Sequence, residues 1–227
     1  MSNSDEDRTE SGERLASAGQ RGTTAVDPGQ RVLVVFATRH GSTAAVAEAI
    51  AEELRAAGLR TDVAPAASAG RPTDYDAVVV GGPMIMGWHK DALRYIARHR
   101  DALAARPTAY FITAMSLTET GVDRVDGVPI VTDPWLVKKP KDPARLNRRE
   151  RYARPAHYLE KPFRQGPRVR PRSVAFFGGS LDLTTMNIFE KLFVMLVIGA
   201  TPGDTRHWEA IRAWAKDLPA LLTGEPV

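Results

Sequence analysis

The chain has 227 residues, 43% of them hydrophobic, and a formal net charge of +4, which suits one domain with a sizeable core and appendages. It contains no cysteine, and this excludes disulfides, thiol nucleophiles and iron–sulfur clusters held by the protein. No stretch reaches the roughly eighteen apolar residues of a membrane span and no signal peptide is visible, so we expect a cytoplasmic protein.

The N-terminal tail, residues 1–29, is rich in Ser, Gly, Asp, Glu and Arg and has almost no large apolar side chain. Such a segment cannot bury enough surface to offset the entropy that ordering costs. We therefore predict a disordered tail followed by one domain over residues 30–223.

The first predicted element is the apolar run 32–36, which is typical of a strand covered on both faces in a parallel sheet. A polar loop follows it, and then a helix with one apolar stripe is predicted over residues 43–57. The first amides of a helix lack partners within it and lie at the positive end of its dipole, so this turn is typical of an anion site. We predict that a phosphate is held here by Thr38, Arg39, His40, Gly41, Ser42 and Thr43.

Two kinds of protein carry such a loop. Thr38, Gly41 and Thr43 match the Ser/Thr-x-x-Gly-x-Thr loop of flavodoxins, which this part of the chain resembles, whereas Arg39-His40-Gly41 matches the nucleophile motif of histidine phosphatases. A phosphatase needs a second catalytic histidine after a strand, and none of the other histidines has that setting, so we rank it below the flavodoxin interpretation. A helix start without any ligand is the third interpretation.

The flavodoxin resemblance implies FMN as cofactor and an α/β fold with a doubly wound, five-stranded parallel sheet in the order 2-1-3-4-5. Residues 61–64 and 76–82 are the predicted second and third strands. Ligands bind outside the carboxyl ends of such sheets at the switch in strand order, which lies between strands one and three. The flavin ring is thus expected against a loop in which Met86 and Trp88 pack on it, formed by Gly82, Pro83, Met84, Ile85, Met86, Gly87 and Trp88.

A helix over residues 91–103 and a fourth strand over 108–113 come next. Ala114, Met115 and Ser116 then occupy the second position that flanks a flavin in this fold. Gly178 and Gly179, after a fifth strand over 173–177, complete the predicted cofactor contacts.

A long insertion, residues 117–172, separates strands four and five, and long connections are usually functional or disordered. Residues 138–172 hold thirteen Lys or Arg and three acidic residues. Such a surface can dock lipid headgroups, substrate carboxylates or nucleic acid, or can be a solvated, partly mobile loop. We do not expect nucleic acid, because no nucleic-acid motif accompanies the charge. Pro155 is predicted to start a short helix that ends by Pro162.

The apolar segment 186–198 is predicted to be a helix that is covered by the insertion or, as the less favoured alternative, meets a membrane or an apolar partner. Asp204 is predicted to cap a closing helix that runs to Leu222. The inner face of that helix is expected to carry Trp208, Ile211, Ala215 and Leu218.

From about residue 31 to 222, the chain resembles the flavodoxin-domain family of quinone-dependent protoporphyrinogen IX dehydrogenases. The resemblance rests on five landmarks, which are the loop 38–43, residues 80–87, the basic insertion, residues 178–181 and residues 203–206.

This resemblance implies an FMN-dependent oxidoreductase of haem biosynthesis that oxidises a porphyrinogen or another small reduced substrate and passes electrons to a quinone. It also implies that insertion cations pair with porphyrin propionates and that the protein contacts the inner face of the cell membrane peripherally. No general base or catalytic residue is identified. The alternative is a flavodoxin-type electron carrier or a regulatory FMN-binding module.

Overall fold

A computed structural model of the chain describes residues 29–39, 41–85, 87–181 and 203–223. Several predictions fall on other residues. The tail apart from Gly29, the loop residue His40, the ring-loop residue Met86 and the apolar helix 186–198 all lie outside the described part of the chain.

The first half of the domain alternates strands and helices. The elements are β1 (Arg31–Phe36), α1 (Ser42–Ala56), β2 (Arg60–Pro65), β3 (Ala77–Met84), α2 (Lys90–Ala104) and β4 (Thr108–Ala114). Every residue of β3 and β4 is buried, as expected of central parallel strands that are covered on both faces. The strand β3 continues two residues beyond its predicted end, so Pro83 and Met84 belong to the sheet.

The basic insertion is folded along much of its length. Its elements are β5 (Leu117–Thr118), β6 (Arg124–Val125), β7 (Val128–Thr132), β8 (Val137–Lys138), α3 (Arg148–Tyr152) and α4 (Pro155–Gln165). The helix predicted to start at Pro155 is α4, but the prediction that it ends by Pro162 was wrong. Pro162 forgoes its own backbone hydrogen bond, but its ring is buried with Tyr158 and Leu159 on the inner face of α4, and the helix continues.

The chain then forms β9 (Ser173–Gly178), β10 (Ser180–Leu181), β11 (Gly203–Asp204) and the closing helix, here α5 (Trp208–Thr223). Two details of the prediction were wrong. Asp204 pairs with Ser180 in a strand ladder and does not cap α5, and Trp208 is 37% exposed. The buried indole of α5 is that of Trp214, which donates a hydrogen bond to the Ser173 hydroxyl over 2.9 Å.

The main sheet has the order β2-β1-β3-β4-β9-β7-β6. Its first five strands confirm the predicted order 2-1-3-4-5, but the predicted count of five was wrong because the insertion adds two strands at the β9 edge. Strand β7 runs parallel to β9, and β6 pairs antiparallel with β7. One core layer lies between the sheet and α1 with α5, and the other lies between the sheet and α2 with α4. The carboxyl ends of all parallel strands therefore meet at one edge.

Candidate functional site

The loop after β1 has the geometry of a phosphate cradle. Gly41 adopts a left-handed conformation, with φ of 84°, and its amide donates to Thr38 Oγ1 over 2.9 Å. No side chain caps α1, and its first turn has no acidic residue. A Cβ placed on Gly41 would meet nothing within 4 Å beyond its chain neighbours, so the left-handed conformation and not a close contact accounts for the glycine. The first amides of α1 are thus available to an anion such as the FMN phosphate.

The two hydroxyls at the start of α1 have different surroundings. Ser42 is half-buried at the first turn, where it can face a ligand. Thr43 is fully buried, and its hydroxyl lies 3.0 Å from that of Thr113 on β4. The Thr43 side chain therefore ties α1 to the sheet, and its backbone amide is the group that remains for a phosphate.

Replacing Thr43 with valine should leave the Thr113 hydroxyl buried without a partner and lower the free energy of unfolding by about 1–2 kcal/mol. Valine at both positions removes both polar groups, so the double variant should recover most of this loss. Urea unfolding of Thr43→Val, Thr113→Val and the double variant measures the coupling between the two hydroxyls. If the loss in the double variant equalled the sum of the two single losses, the pairing would be contradicted. FMN affinity is expected to be retained in all three variants.

The ring loop after β3 is a tight turn. Met84 and Trp88 form an isolated antiparallel bridge across it, and Gly87 has φ of 127°, in the left-handed range. Pro83 and Met84, predicted to follow the strand, lie in the ladder opposite Thr113 and Ala114. The predicted contacts of these residues and of the turn from Ile85 onward with a flavin ring stay predictions.

Trp88 lies mostly in the core. It is 5% exposed and meets Tyr110 edge-on, with ring centroids 5.8 Å apart. Its indole nitrogen is buried and has no hydrogen-bond partner among the described residues. Met84 is also buried, at 7% exposure. Among the described residues of this turn, Ile85 is half-buried and lines the cleft with Trp88, and the predicted packing of Trp88 on the ring stays a prediction.

The second predicted ring loop, residues 114–116, is held by two other segments. The Ala114 carbonyl accepts from the Gly179 amide over 3.0 Å, and the Ser116 carbonyl accepts from the Tyr158 hydroxyl over 3.0 Å. Met115 and Ser116 are half-buried. Because Tyr158 belongs to α4, the insertion helix is anchored directly on this loop.

Gly178 and Gly179 pack against the segment that leads to α5. A Cβ on Gly178 would lie 1.9 Å from the Thr205 carbonyl oxygen, and the Gly179 carbonyl accepts from both the amide and the hydroxyl of Thr205. The close approach explains the glycine at position 178. In this arrangement the two glycines contact protein, and their predicted contact with the cofactor stays a prediction.

A cleft of about 460 Å³ opens beside the ring loop. It is bounded by the phosphate loop, the ring loop, the start of α2 and α4, and its described lining residues are Arg39, Ile85, Gly87, Trp88, His89, Lys90 and Lys161. The ammonium nitrogen of Lys161 lies 3.3 Å from where a Cβ on Gly87 would be. Lys161 and Tyr158 were not predicted as site residues, and the only signal for them is their spacing of three on the helix that Pro155 starts.

His89 is the described histidine that lines this cleft. Its Nδ1 accepts from the Asp91 amide over 3.3 Å and so caps α2. Burial lowers the pKa of His89, with Asp91 opposing and Arg39 and Lys90 reinforcing the shift. The ring is therefore neutral at pH 7 and carries its proton on Nε2, as a hydrogen-bond donor.

A second cluster joins the insertion to the start of α5. The buried carboxylate of Asp133 accepts from the Trp135 amide over 3.0 Å, and its Oδ1 lies 2.9 Å from His207 Nδ1. The His207 ring stacks on Trp135 with centroids 3.9 Å apart. This cluster fixes the end of β7 against the chain that precedes α5, and the sequence offered no local signal for it.

Taken together, the sheet order and the cradle define a doubly wound α/β protein that binds a phosphate-bearing cofactor at the carboxyl edge of its sheet. The chain belongs to the flavodoxin domain family, which matches residues 33–207. Its cofactor is FMN, and the uncapped start of α1 fits the phosphate of that cofactor.

The chain is similar to named enzymes along most of its length. Protoporphyrinogen IX dehydrogenase (quinone) of Escherichia coli strain K12 is 23% identical over 207 residues, which cover 86% of this chain and 98% of that protein. The protein of the same name from Leishmania major is 24% identical over 208 residues, which cover 86% of this chain and 78% of that protein. Among solved structures, a cysteine-to-alanine mutant of flavodoxin from Pseudomonas aeruginosa is 15% identical with a TM-score of 0.45, and the match covers 86% of this chain and 99% of that one. The relatives support an oxidoreductase of the FMN-binding family.

Proposed function

We propose that the protein is an FMN-dependent enzyme that oxidises protoporphyrinogen IX and passes the electrons to a quinone, as the names of its relatives suggest. The observation that carries the proposal is the position of α4. This helix reaches both loops expected to flank the flavin, through Tyr158 and Lys161, and forms one wall of a cleft beside them. A cleft walled by an extra helix suits a small organic substrate, whereas an electron carrier needs an open edge for a protein partner.

Bound FMN supplies the hydride- and electron-accepting chemistry. The residues of this chain bind the cofactor and the substrate and orient them toward each other. The cradle at Gly41 would hold the phosphate, the turn at Gly87 would lie along the ring edge, and α4 would keep water away from the substrate side. Burial raises the pKa of Tyr158, so its hydroxyl stays protonated at neutral pH and keeps donating to Ser116.

The test uses the purified protein loaded with FMN under anaerobic conditions. Protoporphyrinogen IX is added with menaquinone, and formation of the fluorescent porphyrin is followed. We expect turnover that depends on both the flavin and the quinone. A flavin-loaded protein that accepts electrons only from a partner protein and leaves the porphyrinogen unchanged would support the carrier alternative instead.

Contact with the inner face of the cell membrane is part of the same proposal, because the quinone resides in the lipid. No helix within the described ranges is long and apolar enough to cross a membrane. Two indoles are exposed near the Asp133 cluster: Trp135 is 70% exposed, and Trp208 is 37% exposed with the Arg206 guanidinium 4.7 Å from its ring centroid. Indoles beside cations are typical of membrane-interface contacts.

Replacing Trp135 with serine should weaken binding to phosphatidylglycerol vesicles at least about threefold, because a large apolar surface is lost from the contact. Vesicle co-sedimentation measures the effect, and raised salt should weaken binding further. The matched control is Val122→Ser, which changes another exposed apolar residue of the insertion. Equal binding of wild type and the Trp135 variant would remove this part of the proposal.

A further inference from the structure

The cleft beside the ring loop carries positive charge that the protein does not neutralise. Among the described residues, Arg39, Lys90 and Lys161 form no ion pair, and no acidic side chain lines the cleft. The nearest carboxylates in sequence pair with other groups. Asp91 lies 2.9 Å from Arg94 and 3.7 Å from His89 Nδ1, and Glu160 lies 3.8 Å from Arg164. The three exposed cations around the opening therefore give the cleft a positive potential that attracts anions.

These cations come from separate elements that are each held in place. Lys161 is on α4, whose position is fixed by the hydrogen bond from Tyr158 to the Ser116 carbonyl. Lys90 is the first residue of α2, which His89 caps. The Nε2–H of neutral His89 adds a fourth donor, and Ile85 and Trp88 add apolar wall. The ligand that fits such a cleft has acidic groups on an apolar body.

The phosphate of FMN does not account for this site. None of Thr38, Gly41, Ser42 and Thr43 lines the cleft, although Arg39 does. One phosphate cannot occupy both the cradle at the start of α1 and a cleft whose lysines come from α2 and α4. A second oxyanion is therefore the ligand that matches these cations.

We propose that the cleft binds a carboxylate arm of the substrate through Lys161, Lys90 and Arg39, and so orients the reduced ring of the substrate toward the flavin-flanking loops. This deepens the function proposed above and rests on it. The helix α4 of the insertion then determines substrate specificity, because it carries Lys161 to the cleft.

The test compares protoporphyrin IX with its dimethyl ester, which has the same ring without free carboxylates. Binding to the FMN-loaded protein is measured by porphyrin fluorescence. Wild type should prefer the acid, and Lys161→Gln should weaken the acid about tenfold while leaving the ester unchanged, as expected for one charge-assisted contact. Lys138→Gln, an exposed lysine of the same insertion, is the matched control and should change neither.

Three results would overturn the inference. The first is equal affinity of wild type for the acid and the ester. The second is a loss of acid affinity in Lys138→Gln as large as that in Lys161→Gln, and the third is a loss of FMN affinity, without loss of riboflavin affinity, in Lys161→Gln. The last result would assign the cleft to the cofactor phosphate.

A separate arm distinguishes failure of the proposed function from failure of this site. If wild type binds neither porphyrin and also leaves protoporphyrinogen IX unchanged in the turnover assay, protoporphyrinogen is not the substrate. Citrate is then added to wild type and to Lys161→Gln, and the melting temperatures are compared. A citrate-induced rise that requires Lys161 supports a carboxylate site for another substrate, and the absence of such a rise overturns the site as well.

Discussion

Alanine at position 81 should destabilise the protein by roughly 3 kcal/mol or more, at the upper end of what overpacking a core costs. Gly81 lies in the interior of β3, paired with Phe111 of β4. A Cβ on Gly81 would lie 2.1 Å from two ring atoms of Phe111, and that ring is fully buried. Neither the strand nor the ring can move without disturbing the core layer beneath α1 and α5.

The neighbouring glycine supplies the control. A Cβ on Gly82 points to the opposite layer, where its nearest neighbour is the Ala92 methyl carbon at 3.5 Å, an ordinary contact. Gly82→Ala should therefore cost less than about 1 kcal/mol. Urea unfolding of the two variants makes the comparison, and similar losses for both would contradict the packing described for Phe111. Adding Phe111→Leu to the Gly81 variant should cost less than the same change in wild type, because the smaller side chain relieves the clash.

The central strands could be predicted from the sequence because each is a local pattern. The runs that became β1, β3, β4 and β9 are apolar over most of their length, and a parallel sheet buries such runs on both faces. Their order came from the resemblance to flavodoxins and not from the runs themselves. The clash around Gly81 follows only from the register with β4, which no sequence pattern specifies.

The two strands β7 and β6 at the edge of the sheet were not predicted, although the sequence carries one signal for them. Asp126-Gly127 separates β6 from β7, and both residues have positive φ, 50° and 80°. Asp-Gly between short apolar segments is the usual signature of a two-residue hairpin turn. Pro129 within β7 obscured it, because proline normally argues against a strand. Here the Ile130 amide donates to Asp123 on the β6 side, so the nitrogen of Pro129 points toward β9. Pro129 precedes the first β7–β9 pair, Ile130 with Val174, and its missing amide therefore falls before the start of that ladder.

The candidate site divides in the same way. The phosphate loop was predictable because its residues are contiguous and their chemistry is carried by the backbone of a helix start. The cleft was not, because it depends on distant pairs. Tyr158 and Ser116, whose hydrogen bond positions the helix that carries Lys161, are 42 residues apart. The sequence showed that the insertion is basic, and only its folding determined that the Lys161 ammonium lies beside Gly87 of the ring loop.

Aspartate at position 42 should reduce FMN affinity by about a hundredfold, because it places a carboxylate where the cofactor phosphate needs helix amides. Ser42 is the first residue of α1, and the first turn of this helix has no acidic residue in the wild-type chain. An acid at a helix start favours the helix itself, by about 0.3–1 kcal/mol. The variant should thus bind FMN far more weakly while its unfolding free energy without cofactor is unchanged or slightly higher. Loss of fold would not explain that combination.

Riboflavin, which has the same ring system but no phosphate, separates the two parts of the flavin site. Its affinity, measured by quenching of flavin fluorescence, should be the same in wild type and Ser42→Asp, because the ring contacts lie at the loops after β3 and β4. Ala45→Asp adds the same charge to the exposed face of α1 and should weaken FMN far less, since its carboxylate is outside the cradle. If Ser42→Asp bound FMN as well as wild type, the phosphate would lie elsewhere. The cationic cleft would then be its alternative position, and the two-anion arrangement proposed for this protein would reduce to one.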